Sequence, residues 1–233
     1  MQCIIDPQIL EKNSGLMVGV LVVKGVDNVG AHSDIVSLLR QAETNVSASL
    51  TIETFKDHPK LKVLQEVHQA FGSNPNKFPP SVQALVKRVL KGGQLPTINP
   101  LVDLYNVISL KYLLCAGGED TDQCIGDIHL TYATGNEEFI GLGETENDPP
   151  DAGEVIYCDD KGVICRKFNW REGDRTKLTE KTRNCVLVIE ARSPILRSEL
   201  EEALNELKAF VEKYCGGSVR TEILDQNHQS CDL

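Results

Sequence analysis

Residues 16–23, Leu-Met-Val-Gly-Val-Leu-Val-Val, form an unbroken apolar run rich in valine. β-Branched side chains favour extended backbone, and a strand without a polar face belongs in the interior of a sheet. At eight residues the run is far short of the roughly 20 a membrane span needs. It also lacks the basic start and small-residue cleavage site of an export signal. A buried strand needs partners, and the residues before the Pro- and Gly-punctuated stretch 72–80 offer too few. The chain is therefore expected to be one domain, with a body over 16–224, an N-terminal extension over 1–15 and a flexible tail over 225–233.

The chain has 233 residues, enough to bury a sizeable core. Hydrophobic residues make up 41% and charged residues 25%, which fits a globular rather than a disordered class. None of the 8 cysteines forms a C-x-x-C pair, and Cys115 and Cys185 sit inside apolar runs. They read as reduced, small hydrophobes. The 5 histidines are scattered without ligand spacing, so neither a metal nor a cofactor is expected. A soluble, cytoplasmic protein with no membrane partner is expected; composition leaves the oligomeric state open.

A net charge of −10 argues against non-specific nucleic-acid binding, which depends on Lys and Arg neutralising phosphates. One segment departs from this balance. Arg166, Lys167, Arg171, Arg175, Lys177, Lys181 and Arg183 crowd together, while the acidic excess lies at 137–160 and 199–206. Such asymmetry permits a nucleic-acid contact on one face. Glu172, Asp174 and Glu180 are interleaved, so a solvated loop of mixed charge is the alternative.

Periodicity predicts helices over 33–48, 59–71, 81–91, 101–114 and 198–214. Ser33 and Ser81 are expected N-caps, and Ser198 with Glu201 a capping box. Strands are expected over 125–133, 138–142, 154–158, 163–168, 184–190 and 219–224, with a hairpin turn at 159–162. His68 reads as a surface or packing histidine. The mixture predicts an α/β (α+β) domain, its sheets covered by helices on one side.

Walker, G-x-G-x-x-G and G-x-S-x-G motifs do not occur. What remains is a set of polar residues in constrained settings. The stretch Phe78 to Asp120 reads as a helix, a glycine turn and a second helix, with Asn99, Asp103 and Asn106 clustered at the second helix's start. Asp103 and Asn106 share a helical face. Asn169, Trp170 and Arg171 follow a strand end, where binding residues concentrate. Glu190 ends an otherwise apolar strand, so it must be paired, hydrogen-bonded or used. Each has a plain structural alternative: Asn99 and Asp103 as helix caps, Asn106 as a bond to a loop, Trp170 as packing, and Glu190 as a partner of Arg171 or Arg192.

These residues carry a resemblance. Leu95-Pro96-x-Ile98-Asn99-x-Leu101-Val102-Asp103-x-x-Asn106, then Asp120, Asn169-Trp170-Arg171, Thr182 and Val188-Ile189-Glu190-Ala191, resemble the tRNA-binding editing domain of the phenylalanyl-tRNA synthetase β subunit, here in free-standing form. The similarity runs over about 15–215. It implies a three-layer sandwich of β-sheets and helices, and a pocket for an aminoacyl group. It also implies binding roles for Asn106 and for Glu190, the latter matching a glutamate that recognises a tyrosine hydroxyl. In that family a threonine precedes the asparagine and a histidine follows it eleven residues on. Here those places hold Tyr105 and Gly117.

The resemblance implies a deacylase clearing mischarged aminoacyl-tRNA in trans, with tRNA or a free amino acid as partner. Asn99, Asp103, Asn106, Asp120, Asn169, Trp170, Arg171 and Glu190 would form its substrate-binding wall. The alternative is a non-catalytic module binding an amino acid, small metabolite or RNA.

Overall fold

The computed structural model describes residues 1–30 and 32–233. In chain order the elements are β1 (Gln2–Ile5), α1 (Pro7–Lys12), β2 (Leu16–Lys24), α2 (Ser33–Ser49), α3 (Pro59–Ala70), α4 (Ser81–Leu90) and α5 (Pro100–Tyr112). There follow β3 (Cys115–Asp120), β4 (Ile128–Tyr132), β5 (Val155–Cys158), β6 (Val163–Arg166), β7 (Arg171–Glu172) and β8 (Asn184–Arg192). The chain closes with α6 (Arg197–Tyr214), β9 (Ser218–Leu224) and β10 (Ser230–Asp232).

The strands make two sheets. A 6-stranded sheet runs β10-β1-β4-β5-β6-β7, and a 4-stranded sheet runs β3-β8-β2-β9. β2 is interior to the smaller sheet, as its apolar run predicts, and period-2 alternation divides its side chains between two cores. Val18, Val20 and Val22 pack toward the larger sheet with Ile5, Leu130 and Tyr157. Met17, Leu21 and Val23 pack toward α5 and α6 with Leu104, Leu204 and Leu207. The smaller sheet is thus the middle layer of three, with the larger sheet on one face and helices on the other.

Gly19 of β2 allows the helix layer its close approach. A Cβ there would lie 2.6 Å from Leu204 Cδ1 of α6. A third core joins α2, α3, α4 and α5 through residues such as Leu39, Leu64, Val86 and Val107.

Several local expectations change. The helix expected over 101–114 stops at Tyr112, and an unexpected strand follows it. Leu113 turns left-handed at φ 55°, and residues 115–120 leave as β3. Residues 138–142 form no strand; Phe139 exchanges backbone and side-chain bonds with Asn147 and Asp148, and only the bridge Gly141–Gly173 remains. Ser33 and Ser81 are first helical residues rather than caps, which fall on His32 and Pro80. The box at α6 lies two residues early, with Glu199 Oε2 accepting the Leu196 N–H at 3.0 Å.

The ends of the chain are built in. Residues 1–15, set apart as an extension, supply Cys3, Ile5, Ile9 and Leu10 to the core. The tail expected to be flexible ends in β10, which pairs antiparallel with β1. Short terminal segments give little periodicity to read; pairing of β1 with both β10 and β4 fixes them. Among the described residues no helix is long and apolar enough to cross a membrane.

Candidate functional site

Between the two sheets, at the edge formed by β3 and β7, lies a cavity of about 60 Å³. Its walls are mostly apolar, with Val186 and Val188 of β8, Ile164 of β6 and Phe168 among them. Glu190 reaches it because β8 alternates: Val186, Val188 and Glu190 share the face turned to the larger sheet.

Glu190 is held by two donors. The Tyr157 hydroxyl donates to Oε1 at 3.1 Å, and Asn169 Nδ2 donates to Oε2 at 3.1 Å. Asn169 Oδ1 in turn faces His68 Nε2 at 2.9 Å, which makes the imidazole the donor. Burial lowers the His68 pKa, so it acts as a neutral donor. Burial raises the Glu190 carboxyl to about 8, against the opposing pull of Asn169 and Tyr157. Neither Arg171 nor Arg192 pairs with Glu190; its partners are these two neutral donors.

A strained turn aims Asn169. Lys167 and Phe168 sit at φ 47° and 68°, the left-handed region that non-glycine residues avoid. Such backbone costs about 1–3 kcal/mol per residue and persists only when surroundings fix it. Here Glu154 fixes it. Its carboxylate accepts from Arg166 Nε and Nη2 at 2.9 and 2.8 Å, and from the Lys167 N–H and Nζ at 3.1 and 2.7 Å. Burial alone would raise the Glu154 carboxyl, but Arg166 and Lys167 outweigh it and hold it below the usual range. Phe168 is locked from the other side, stacked 6.1 Å from the Tyr157 ring and edge-on to Phe71 at 5.3 Å.

Of the residues singled out in the sequence, Asn169 and Glu190 line this cavity, and Gly117 lines it beside them. A Cβ on Gly117 would meet no atom within 4 Å. The others lie elsewhere. Asn99 caps α5, accepting the Val102 N–H at 3.1 Å and bonding Asn28 and the Leu178 carbonyl. Asp103 accepts the Ile98 N–H at 2.9 Å, and burial raises its carboxyl. Asn106 is buried on α5, away from the cavity walls. Asp120 accepts from the Thr182 hydroxyl at 2.6 Å and the Asp122 N–H at 3.0 Å, tying the 179–182 loop to β3. Trp170 packs edge-on against Phe78 at 4.6 Å, and Arg171 pairs with Glu144 at 2.6 Å.

Tyr157, Glu119 and Glu172 also line the cavity without standing out in the sequence, and His68, a surface or packing histidine by its spacing, is buried and supports Asn169. Had 115–120 been recognised as a strand, alternation would have put Glu119 on the Gly117 face. Tyr157 and His68 carry no such signal, because each sits at a regular apolar position of its element.

The basic segment is not a free cationic strip. Arg166 and Lys167 pair with Glu154, Arg171 with Glu144, Arg175 with Asp159, Lys177 with Asp174, and Arg183 approaches Asp27 at 3.9 Å. Lys181 has no carboxylate partner among the described residues. Also among the described residues, no group of His, Cys, Asp and Glu is arranged to hold a metal ion.

A small cavity with convergent polar side chains, set between two sheets under a helical layer, is the candidate ligand site of this fold. The chain belongs to the B3/4 domain family, whose sequence pattern matches residues 64–216. Over 79 residues the chain is 32% identical to the phenylalanine–tRNA ligase beta subunit of Mycoplasma genitalium, a match covering 34% of this chain and 10% of that protein. Among solved structures, an N-terminal fragment of the phenylalanyl-tRNA synthetase β subunit from Pyrococcus horikoshii is similar at a TM-score of 0.47 and 13% identity. That match covers 93% of this chain and 49% of the other.

Proposed function

We propose that this chain recognises an aminoacyl group in the cavity between its sheets and releases it from tRNA by ester hydrolysis, acting in trans in the cytoplasm. One observation carries the reading: in a B3/4 domain, Glu190 stands buried at the wall of a cavity between the sheets, oriented by Asn169 and Tyr157 rather than neutralised by a cation. A buried carboxyl of this kind discriminates strongly, because a ligand without a matching polar group leaves it short of partners. Asn169 and Glu190 would hold the amino acid. The link to tRNA comes from the ligase to which the 79-residue segment is similar.

The test is a deacylation assay over a panel of mischarged tRNAs. Release from at least one, slowed at least tenfold by Glu190→Gln, is the expected outcome. No release from any of them would remove hydrolysis from the reading.

A second reading, a non-catalytic module for an amino acid or small metabolite, is favoured by a separate observation. The cations of the basic segment are nearly all engaged by carboxylates, which leaves few to meet phosphates. Tight binding of a free amino acid with no release from tRNA would establish it.

A further inference from the structure

Glu119 on β3 and Glu172 on β7 meet where the edge strands of the two sheets come together, and both line the cavity that Glu190 lines. Their carboxyl groups lie close enough to perturb each other's protonation. Register explains the meeting. Glu119 lies opposite Val186 and Glu172 opposite Cys165, residues that both pack in the layer between the sheets.

Two carboxyl groups in contact cannot both be ionised unless a cation joins them; otherwise one proton must lie between them. Among the described residues none supplies a cation here. No Lys, Arg or His lines the cavity. The basic side chains of the flanking segment are engaged elsewhere: Arg171 on Glu144, Arg175 on Asp159 and Lys177 on Asp174. The titratable groups that face the pair are Tyr105 of α5, Cys165 of β6, Cys124 and Glu190, and Tyr157 and Cys3 line the same cavity, all of them acids. Glu119 is 8% exposed, and its Oε2, with Oε1 of Glu172, is closed to solvent; besides the one proton the pair must share, the neighbouring donor is the Thr176 hydroxyl, too few for two buried carboxyl groups. Buried acceptors left this way cost free energy that an incoming donor recovers.

We propose that the cavity selects a ligand bearing a primary ammonium group, which Glu119 and Glu172 receive jointly while Glu190 closes the acidic wall. A compact ammonium presents three donors, enough for both carboxyl groups. A water needs about 10–15 Å³ of such space, so a cavity of about 60 Å³ admits the ammonium and the first carbons attached to it. The ammonium can be the α-amine of an aminoacyl group or a side-chain amine. The inference rests on the proposed function for the ligand's location, but not for hydrolysis.

Calorimetry on the full chain tests it with small esters. L-Alanine methyl ester carries the α-amine, Nα-acetyl-L-lysine methyl ester only the side-chain amine, and N-acetyl-L-alanine methyl ester neither. The expected result is binding of at least one amine, with the N-acetyl-L-alanine ester weaker by about 30-fold or more, since unpairing a buried charge costs at least that much. Which amine binds identifies the source. Glu119→Gln and Glu172→Gln, each confirmed folded by its thermal melt, should each abolish the preference. Should either variant fail to fold, the contrast among the three esters on the wild-type chain decides alone. Equal affinity for amine and acylated esters, no binding of any, or a preference surviving both variants overturns the proposal. Amine selection without release from any tRNA leaves it standing and removes hydrolysis; release from tRNA without amine selection does the reverse.

Discussion

Glu190 stands in a folded environment that holds a proton more tightly than the unfolded chain does, since burial lifts its carboxyl from 4.5 to about 8. Protonation therefore favours the folded state. The contribution is full below about pH 4.5 and is lost as pH rises through about 8. Thermal melts between pH 5 and 8.5 should show stability falling with pH, and Glu190→Gln should flatten that decline. Tyr157→Phe removes one donor from the same carboxyl and should cost about 1–3 kcal/mol in urea denaturation, the penalty of stripping a buried acceptor. At this scale the sequence was informative about Glu190, because a carboxylate closing an apolar strand stands out against its own neighbours. It was silent about Tyr157, whose hydroxyl matters only because β5 of one sheet faces β8 of the other.

Among the elements, α5 and β3 show local chemistry and packing acting together. Asn99 caps α5 and also bonds Asn28 and the Leu178 carbonyl, so one side chain fixes a helix start and two loops. Asn99→Ala should destabilise the chain by about 1–2 kcal/mol, at the upper end for a lost cap. The two glycines of β3 should then separate sharply. Gly117 faces open space, so Gly117→Ala should change stability by no more than about 0.5 kcal/mol. A Cβ on Gly118 would sit 2.7 Å from the Val186 carbonyl oxygen, so Gly118→Ala should cost about 1–3 kcal/mol, read from the same denaturation curves. The cap was legible from Asn-Pro before an apolar helix. The strand was not, because Cys-Ala-Gly-Gly-Glu-Asp has neither the β-branched content nor the clean alternation that marks one.

For the molecule as a whole, the arrangement of charge bears on partners. Had the cations between 166 and 183 been free, each phosphate contact would add about 0.9 to the slope of log affinity against log salt. With most of them bound to carboxylates, any tRNA binding should show a slope of about −2 or shallower in a salt titration. A slope near −6 would mean that these ion pairs open to meet phosphates. Clustering of Lys and Arg was plain in the sequence. Their neutralisation was not, since Asp148, Glu154, Asp159 and Glu144 reach them only once the strands and loops of 138–175 have folded back.

Features encoded within a turn or a few residues can be read along the chain. The buried strand at 16–23, the five longer helices, the Asn99 cap, the hairpin at 159–162 and the anomaly of Glu190 all follow from periodicity and local hydrogen bonding. Tertiary structure alone decided the cavity. Glu119, Tyr157, Asn169, Glu172 and Glu190 come from β3, β5, β7, β8 and the turn after β6, distributed over two sheets. What brings them together is the register of strands distant in sequence and the spacing of stacked sheets. No window of sequence carries either, because both depend on how apolar faces pack across the whole chain.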